Sequence, residues 1–88
     1  MKITFSQNGW KEYLYWASQD KKTFKRINAL IEDIRRNGHD GIGKSEPLRH
    51  NLAGFWSRRI DEKNRLIYRL IGNEAVEIAQ CKGHYGDK

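Results

Sequence analysis

The hydrophobic residues change their period once along this chain, and that change constrains the architecture more than any other feature. Trp10, Tyr13, Leu14 and Ala17 fall at i, i+3, i+4 and i+7, and Phe24, Ile27, Leu30, Ile31 and Ile34 repeat the helical spacing. Later in the chain, Leu66, Tyr68 and Leu70 alternate with Arg65, Ile67 and Arg69, and Val76 and Ile78 keep the same two-residue period of a strand. Ile3 and Phe5, interleaved with Lys2 and Thr4, read as a short first strand. Ser6 or Asn8 caps the first helix and Asp20 the second, which ends at Asn37-Gly38 just after Arg35 and Arg36. Residues 38–51 carry Gly38, Gly41, Gly43 and the only proline, Pro47, and read as a loop. Three β segments follow, Leu52–Ile60, Arg65–Ile71 and Ala75–Cys81, with turns at residues 61–64 and at Gly72-Asn73. Short turns imply antiparallel pairing, so the expected class is α+β: an N-terminal strand and a two-helix hairpin packed on one face of an antiparallel sheet.

Charge narrows the function. The 88 residues carry a net +6, and residues 20–69 hold 13 basic and 7 acidic side chains, so the whole excess sits in the middle. Such a concentration points to a polyanionic partner, nucleic acid or an acidic protein segment. The lone cysteine, Cys81, excludes an internal disulfide and a cysteine-rich zinc site and suits a reducing cytoplasm. The three histidines and one cysteine have no zinc-ligand spacing, so no metal or other cofactor is expected. No apolar run approaches the roughly 20 residues of a membrane span, and Met1-Lys2-Ile3-Thr4 does not begin a signal peptide.

Alternation also sorts the arginines. If Leu66, Tyr68 and Leu70 face the helices, Arg65, Ile67 and Arg69 face away and line an anion-binding surface. Arg58 and Arg59 must point to opposite faces of their strand, so only one of them joins Arg65. Trp10, Tyr13 and Trp16 are expected in the core or at an interface, Trp56 at an interface, His39 on the surface, and Cys81 as a small buried hydrophobe ending a strand.

Several segments together resemble one family. They are Glu46-Pro47-Leu48-Arg49-His50, Gly54-Phe55-Trp56-Ser57-Arg58-Arg59-Ile60, Arg65-Leu66-Ile67-Tyr68, His84-Tyr85 and the stretch Trp10 to Trp16. They resemble the YoeB family of bacterial toxins within the RelE superfamily, over residues 1–85. Family chains usually stop at the tyrosine, whereas here the short extension Gly86-Asp87-Lys88 follows. The resemblance implies a microbial-ribonuclease-like fold and a cytoplasmic toxin that cleaves messenger RNA in the A site of the 70S ribosome. It implies a YefM-type antitoxin, a homodimer, and operator DNA bound only together with the antitoxin. By the same resemblance Glu46 is the general base, Arg65 contacts the scissile phosphate and His84 is the general acid. Tyr85 and Arg59 then belong to the RNA-binding surface, with Lys44 and Arg49 as further phosphate contacts. His50 is either another RNA contact or a hydrogen-bond donor that shapes the Glu46 loop.

The chemistry is sufficient without metal. Cleavage through the 2′-hydroxyl, present only in RNA, needs a base, a cation for the crowded anionic phosphorus and an acid for the leaving 5′-oxygen. Glutamate, arginine and histidine supply these if the fold brings residues 46, 65 and 84 together. Two other readings compete: a binding toxin of the same fold aimed at a gyrase-type target, and a co-repressor acting with its antitoxin.

Overall fold

The computed structural model describes residues 1–84. Tyr85 and the extension at residues 86–88 lie outside the described residues. Strand β1 (Lys2–Phe5) is followed by helices α1 (Gln7–Gln19) and α2 (Lys21–Asn37), then β2 (Glu46–Pro47), a 3₁₀ turn at His50–Leu52, β3 (Trp56–Arg59), β4 (Arg65–Ile71) and β5 (Ala75–Gln80). The five strands form one sheet in the order β1-β5-β4-β3-β2. The sheet is mixed. Strands β2 to β5 pair antiparallel as short connections require, and β1 runs parallel to β5. The first and last strands make this parallel pair, so the chain between them, both helices and the three other strands, serves as the long connection that parallel pairing needs.

The caps form where the sequence places them. The Ser6 hydroxyl accepts from Gly9 N–H, and the Asp20 carboxylate accepts from the N–H groups of Lys22 and Thr23. Gly38, at a φ of 63°, ends α2 with its N–H on the Ile34 carbonyl. The apolar stripe of α2, Ile27, Leu30, Ile31 and Ile34, packs with Leu66, Tyr68, Val76 and Ile78 from the sheet and with Cys81, while Ile3 and Phe5 flank this core. That confirms Leu66 and Tyr68 as helix-facing.

Helix α1 departs from expectation. Trp10 is 48% exposed and Leu14 47%, so the stripe through them does not face the core. The inward side is offset by one residue and runs through Gly9, Tyr13 and Trp16. Gly9 explains the offset: a Cβ there would stand 2.2 Å from the Ile78 carbonyl oxygen, so only glycine lets α1 approach β5 so closely. Two other residues also sit differently. His39 is half-buried rather than on the surface, its ring stacked 3.7 Å from that of Trp56 and its Nδ1 3.2 Å from the Tyr68 hydroxyl. Trp56 is accordingly packed against the core and under His39 rather than presented as an interface.

Candidate active site

The face of the sheet away from the helices is ordered by register. In β2, Glu46 pairs with Ser57, and Ser57 pairs with Ile67 across β3 and β4; one step along, Arg59 pairs with Arg65. Paired residues share a face and alternate residues repeat it, so Glu46, Ser57, Ile67, Arg59 and Arg65 all belong to the face opposite Leu66 and Tyr68. From two inter-strand spacings and two residues of rise, the Cα atoms of Glu46 and Arg65 are about 12 Å apart. The choice between the two neighbouring arginines is settled: Arg59 is exposed on this face and Arg58 is buried on the other.

Arg59 and Arg65 are closer than a generic pair. The N–H of Arg65 is given to the Gly83 carbonyl at 2.9 Å and that of Arg59 to the Gly43 carbonyl at 2.6 Å, each pointing away from the other's strand. The two arginines are therefore a non-hydrogen-bonded pair, the type in which opposite side chains stand closest. Like charges in that position destabilise a sheet unless an anion joins them. The Arg65 guanidinium folds back on the turn, its Nη1 donating to the carbonyls of Asp61 at 2.6 Å and Asn64 at 3.1 Å. Burial raises the Asp61 carboxyl, but hydrogen bonds from Asn64 and Lys63 and the charge of Arg65 outweigh it and hold the group below the usual carboxylate range.

The loop expected at residues 38–51 contains β2, which carries Glu46 to this face. Pro47 has no N–H to give and is tolerated because β2 is the edge strand. The chain from Glu46 to Leu52 lines an open cleft of about 420 Å³ whose residues include Arg49 and His50. Glu46, Arg49 and His50 are exposed. Lys44, next to the Gly43 carbonyl that Arg59 bonds, has a φ of 54°, and His50 has 59°, both in the left-handed region that side chains other than Gly rarely adopt. Two such residues within one segment mark it as a place where backbone strain is retained. The turn after His50 is held by backbone bonds, Ala53 N–H to the His50 carbonyl and Leu48 N–H to the Phe55 carbonyl.

On the far side of Arg65, Gly83 is tied twice. Its carbonyl accepts from Arg65 N–H, and its N–H donates to Asn64 Oδ1 at 2.7 Å. His84 follows directly, so the last described residue is one peptide away from the backbone bond to Arg65. The register thus places Glu46, Arg59 and Arg65 on one face of the sheet, Lys44 and His84 each follow a glycine whose carbonyl accepts from the backbone of one of these arginines, and Arg49 and His50 line the neighbouring cleft. Ser57 and Asn64 were not anticipated: Ser57, 3% exposed, sits between Glu46 and Ile67, and Asn64 reads in the sequence as a turn residue only.

Arg58 has a different task. It is fully buried on the helix side and clasps the chain after α2: Nη1 bonds the Asp33 carboxylate at 2.5 Å and the Ile42 carbonyl at 2.7 Å, and Nη2 the carbonyls of Gly38 and Asp40 at 2.6 and 2.8 Å. Among the described residues no group of three or more His, Cys, Asp or Glu could hold a metal ion, and no helix is long and apolar enough to cross a membrane.

The family described as the YoeB-like toxin of bacterial type II toxin-antitoxin systems matches residues 5–85. Toxin YoeB of Escherichia coli K12 is 51% identical over 85 residues, covering 97% of this chain and all of the relative. The structure of a YoeB/ParE toxin from Agrobacterium tumefaciens superposes with a TM-score of 0.93 at 38% identity, over 97% of this chain and 100% of that one. Staphylococcus aureus YoeB, solved as a dimer and in complex with YefM, gives a TM-score of 0.89 at 45% identity over 97% of this chain and 98% of its own.

Proposed function

Because the chain belongs to the YoeB-like toxins of bacterial type II toxin–antitoxin systems, we propose that it acts as a ribosome-dependent endoribonuclease, with Glu46, Arg65 and His84 as its catalytic set. Glu46 takes the proton of a 2′-hydroxyl, whose oxygen attacks the adjacent phosphorus. Arg65 and Arg59 face the non-bridging oxygens as negative charge builds there. His84 gives its proton to the departing 5′-oxygen, leaving a 2′,3′-cyclic phosphate and a 5′-hydroxyl. Lys44, Arg49, His50 and Tyr85 contribute to RNA binding. The observation that carries this reading is the close pairing of Arg59 with Arg65 on the open face, one step from Glu46 and beside the segment that delivers His84.

An open sheet with a shallow cleft has little to orient a flexible strand. The A site would supply that orientation, converting a loose encounter into a held geometry. The S. aureus relative's complex with YefM and its dimer support a YefM-type antitoxin as the restraining partner here, and a homodimer as the free form.

Primer extension on ribosomes programmed with messenger RNA tests the assignment. The parent protein should cut within the A-site codon, and Glu46→Ala, Arg65→Ala and His84→Ala should each lose about 10²-fold or more of the rate while remaining folded. Intact messenger at micromolar protein beside a cutting control toxin, or three alanine variants as fast as the parent, would overturn it.

A further inference from the structure

The chain between β5 and His84 is gripped at successive points, and the first grip comes from α1. Glu12 Oε1 accepts the N–H of Cys81 at 2.7 Å, and Trp16 Nε1 donates to the Cys81 carbonyl at 2.8 Å, so one helix holds both polar groups of residue 81. The Cys81 side chain is fully buried. Lys82 places its ammonium 4.8 Å from the centre of the Tyr15 ring, also on α1. Gly83 is then fixed by Asn64 and Arg65, and Asn64 is itself held by two 3.1 Å bonds from its amide to the Asp61 carboxylate.

Satisfying a buried N–H does not by itself call for a carboxylate from another element; a nearby carbonyl or water suffices. What Glu12 and Trp16 add is direction. They fix the peptide three residues before His84, a distance the chain covers in at most about 10 Å, so little slack remains for the imidazole. The helix can act as a reference because Gly9 seats it against the Ile78 carbonyl.

We propose that Glu12 and Trp16 are positioning residues of the active site: by holding the Cys81 peptide, α1 sets where His84 stands relative to Arg65. The inference rests on the reading of His84 as general acid. A displacement of about 1 Å at a reacting group can cost 10²-fold, so loss of either grip lowers turnover without touching the surface that binds RNA.

The test compares two messengers on programmed ribosomes: ordinary RNA, and RNA with a single 5′-bridging phosphorothiolate at the cut position, whose thiolate leaves without needing a proton. On ordinary RNA, Glu12→Ala and Trp16→Phe should lower kcat by about 10- to 100-fold with KM within about threefold. On the phosphorothiolate both should return to within about threefold of the parent, which a generally misfolded protein would not do. Glu12→Gln, which keeps an acceptor for Cys81 N–H, should match the parent on both. Equal deficits of Glu12→Ala and Trp16→Phe on the two messengers, or no deficit on either, would overturn the proposal. His84→Ala, run alongside, separates the failures. If it is rescued by sulfur and the α1 variants are not, the positioning role alone falls; if it is not rescued, the general-acid reading falls and the proposal falls with it.

Discussion

Replacing Arg58 by methionine should be among the most damaging single changes in this chain, and the structure sets its size. Methionine fits the buried volume approximately but gives nothing to the four oxygens that the guanidinium now bonds: Asp33 Oδ2 and the carbonyls of Gly38, Ile42 and Asp40. Removing one partner of a buried pair costs about 3–5 kcal/mol. The loop carbonyls can recover water because Asp40 and Ile42 are exposed, so separate losses for each are not added. For a domain of this length the change corresponds to a drop of roughly 12–40 °C in Tm, against a total stability of about 5–15 kcal/mol. Urea denaturation read by near-ultraviolet circular dichroism measures it. Asp33→Asn should cost less, because its side chain is 18% exposed and Asn37 and Ile42 also bond it. The acid limb gives an independent check. The hydrogen bond from Arg58, opposed by burial and aided by Asn37 and Ile42, holds the Asp33 carboxyl below its usual 3.8. That stability is complete above the unfolded value and is lost as pH falls below about 4 toward the folded value. Arg58→Met should flatten this limb. A loss under about 1 kcal/mol with an unchanged acid limb would refute the clasp as a stabilising element.

Three further outcomes are expected. Gly9→Ala should destabilise by roughly 1–3 kcal/mol in spite of alanine's helix preference, since its Cβ would meet the Ile78 backbone; thermal melts decide it, and a gain in stability would show that α1 can shift freely. Burial, with the charge of Arg58 and against that of Asp40, holds the His39 imidazole below 6.5, so the unfolded chain takes the proton first and stability falls as pH drops through 6.5 toward the folded value. His39→Gln should remove that slope from urea melts taken between about pH 7.5 and 5.5. Burial, with the Glu12 charge adding to it, pushes the Cys81 thiol up to about 12, so a thiol reagent should label the native protein only as fast as it opens and label it rapidly in denaturant.

What the sequence reveals depends on whether hydropathy or close contact decides a position. Helix α2 is legible because its stripe is apolar throughout and is buried from Ile27 to Ile34. The seat of α1 is not, because the residue that lets it dock is Gly9, which has no side chain to register in any periodicity, while the conspicuous Trp10 and Leu14 point outward. The β4–β5 hairpin follows from alternation and the Gly72-Asn73 turn, although the loop between the strands also takes in Glu74. Strand β2 does not, since two residues that include a proline in a glycine-rich stretch carry no strand signal. The parallel β1–β5 contact pairs the first strand with the last, more than 70 residues apart, which no local pattern encodes. In the site, alternation shows that Arg58 and Arg59 part company. It cannot say which goes inside, because the answer lies in Asp33 and three carbonyls of the segment after α2.

The fate of the remaining arginines sharpens what the basic middle of the chain is for. Arg35 and Arg36 are paired with Glu32, Arg69 with Glu77 and Arg58 with Asp33. Among the described residues none of the ion pairs includes Arg59 or Arg65, although these are the two that stand directly opposite each other. Were both guanidiniums extended side by side at about 6 Å, two unit charges would repel by about 0.7 kcal/mol in water and about 3 kcal/mol at an effective dielectric constant of 20. Resting Arg65 on the Asp61 and Asn64 carbonyls spreads the charges and eases this cost. An anion between the guanidiniums reverses its sign, and the gain grows as the anion's charge grows. Under the proposed function, a phosphate passing to a five-coordinate transition state would be such an anion, and the arrangement would favour the transition state over the ground state, which is the condition for raising kcat rather than merely lowering KM. Pairing either arginine with a carboxylate would remove the repulsion and, with it, that difference.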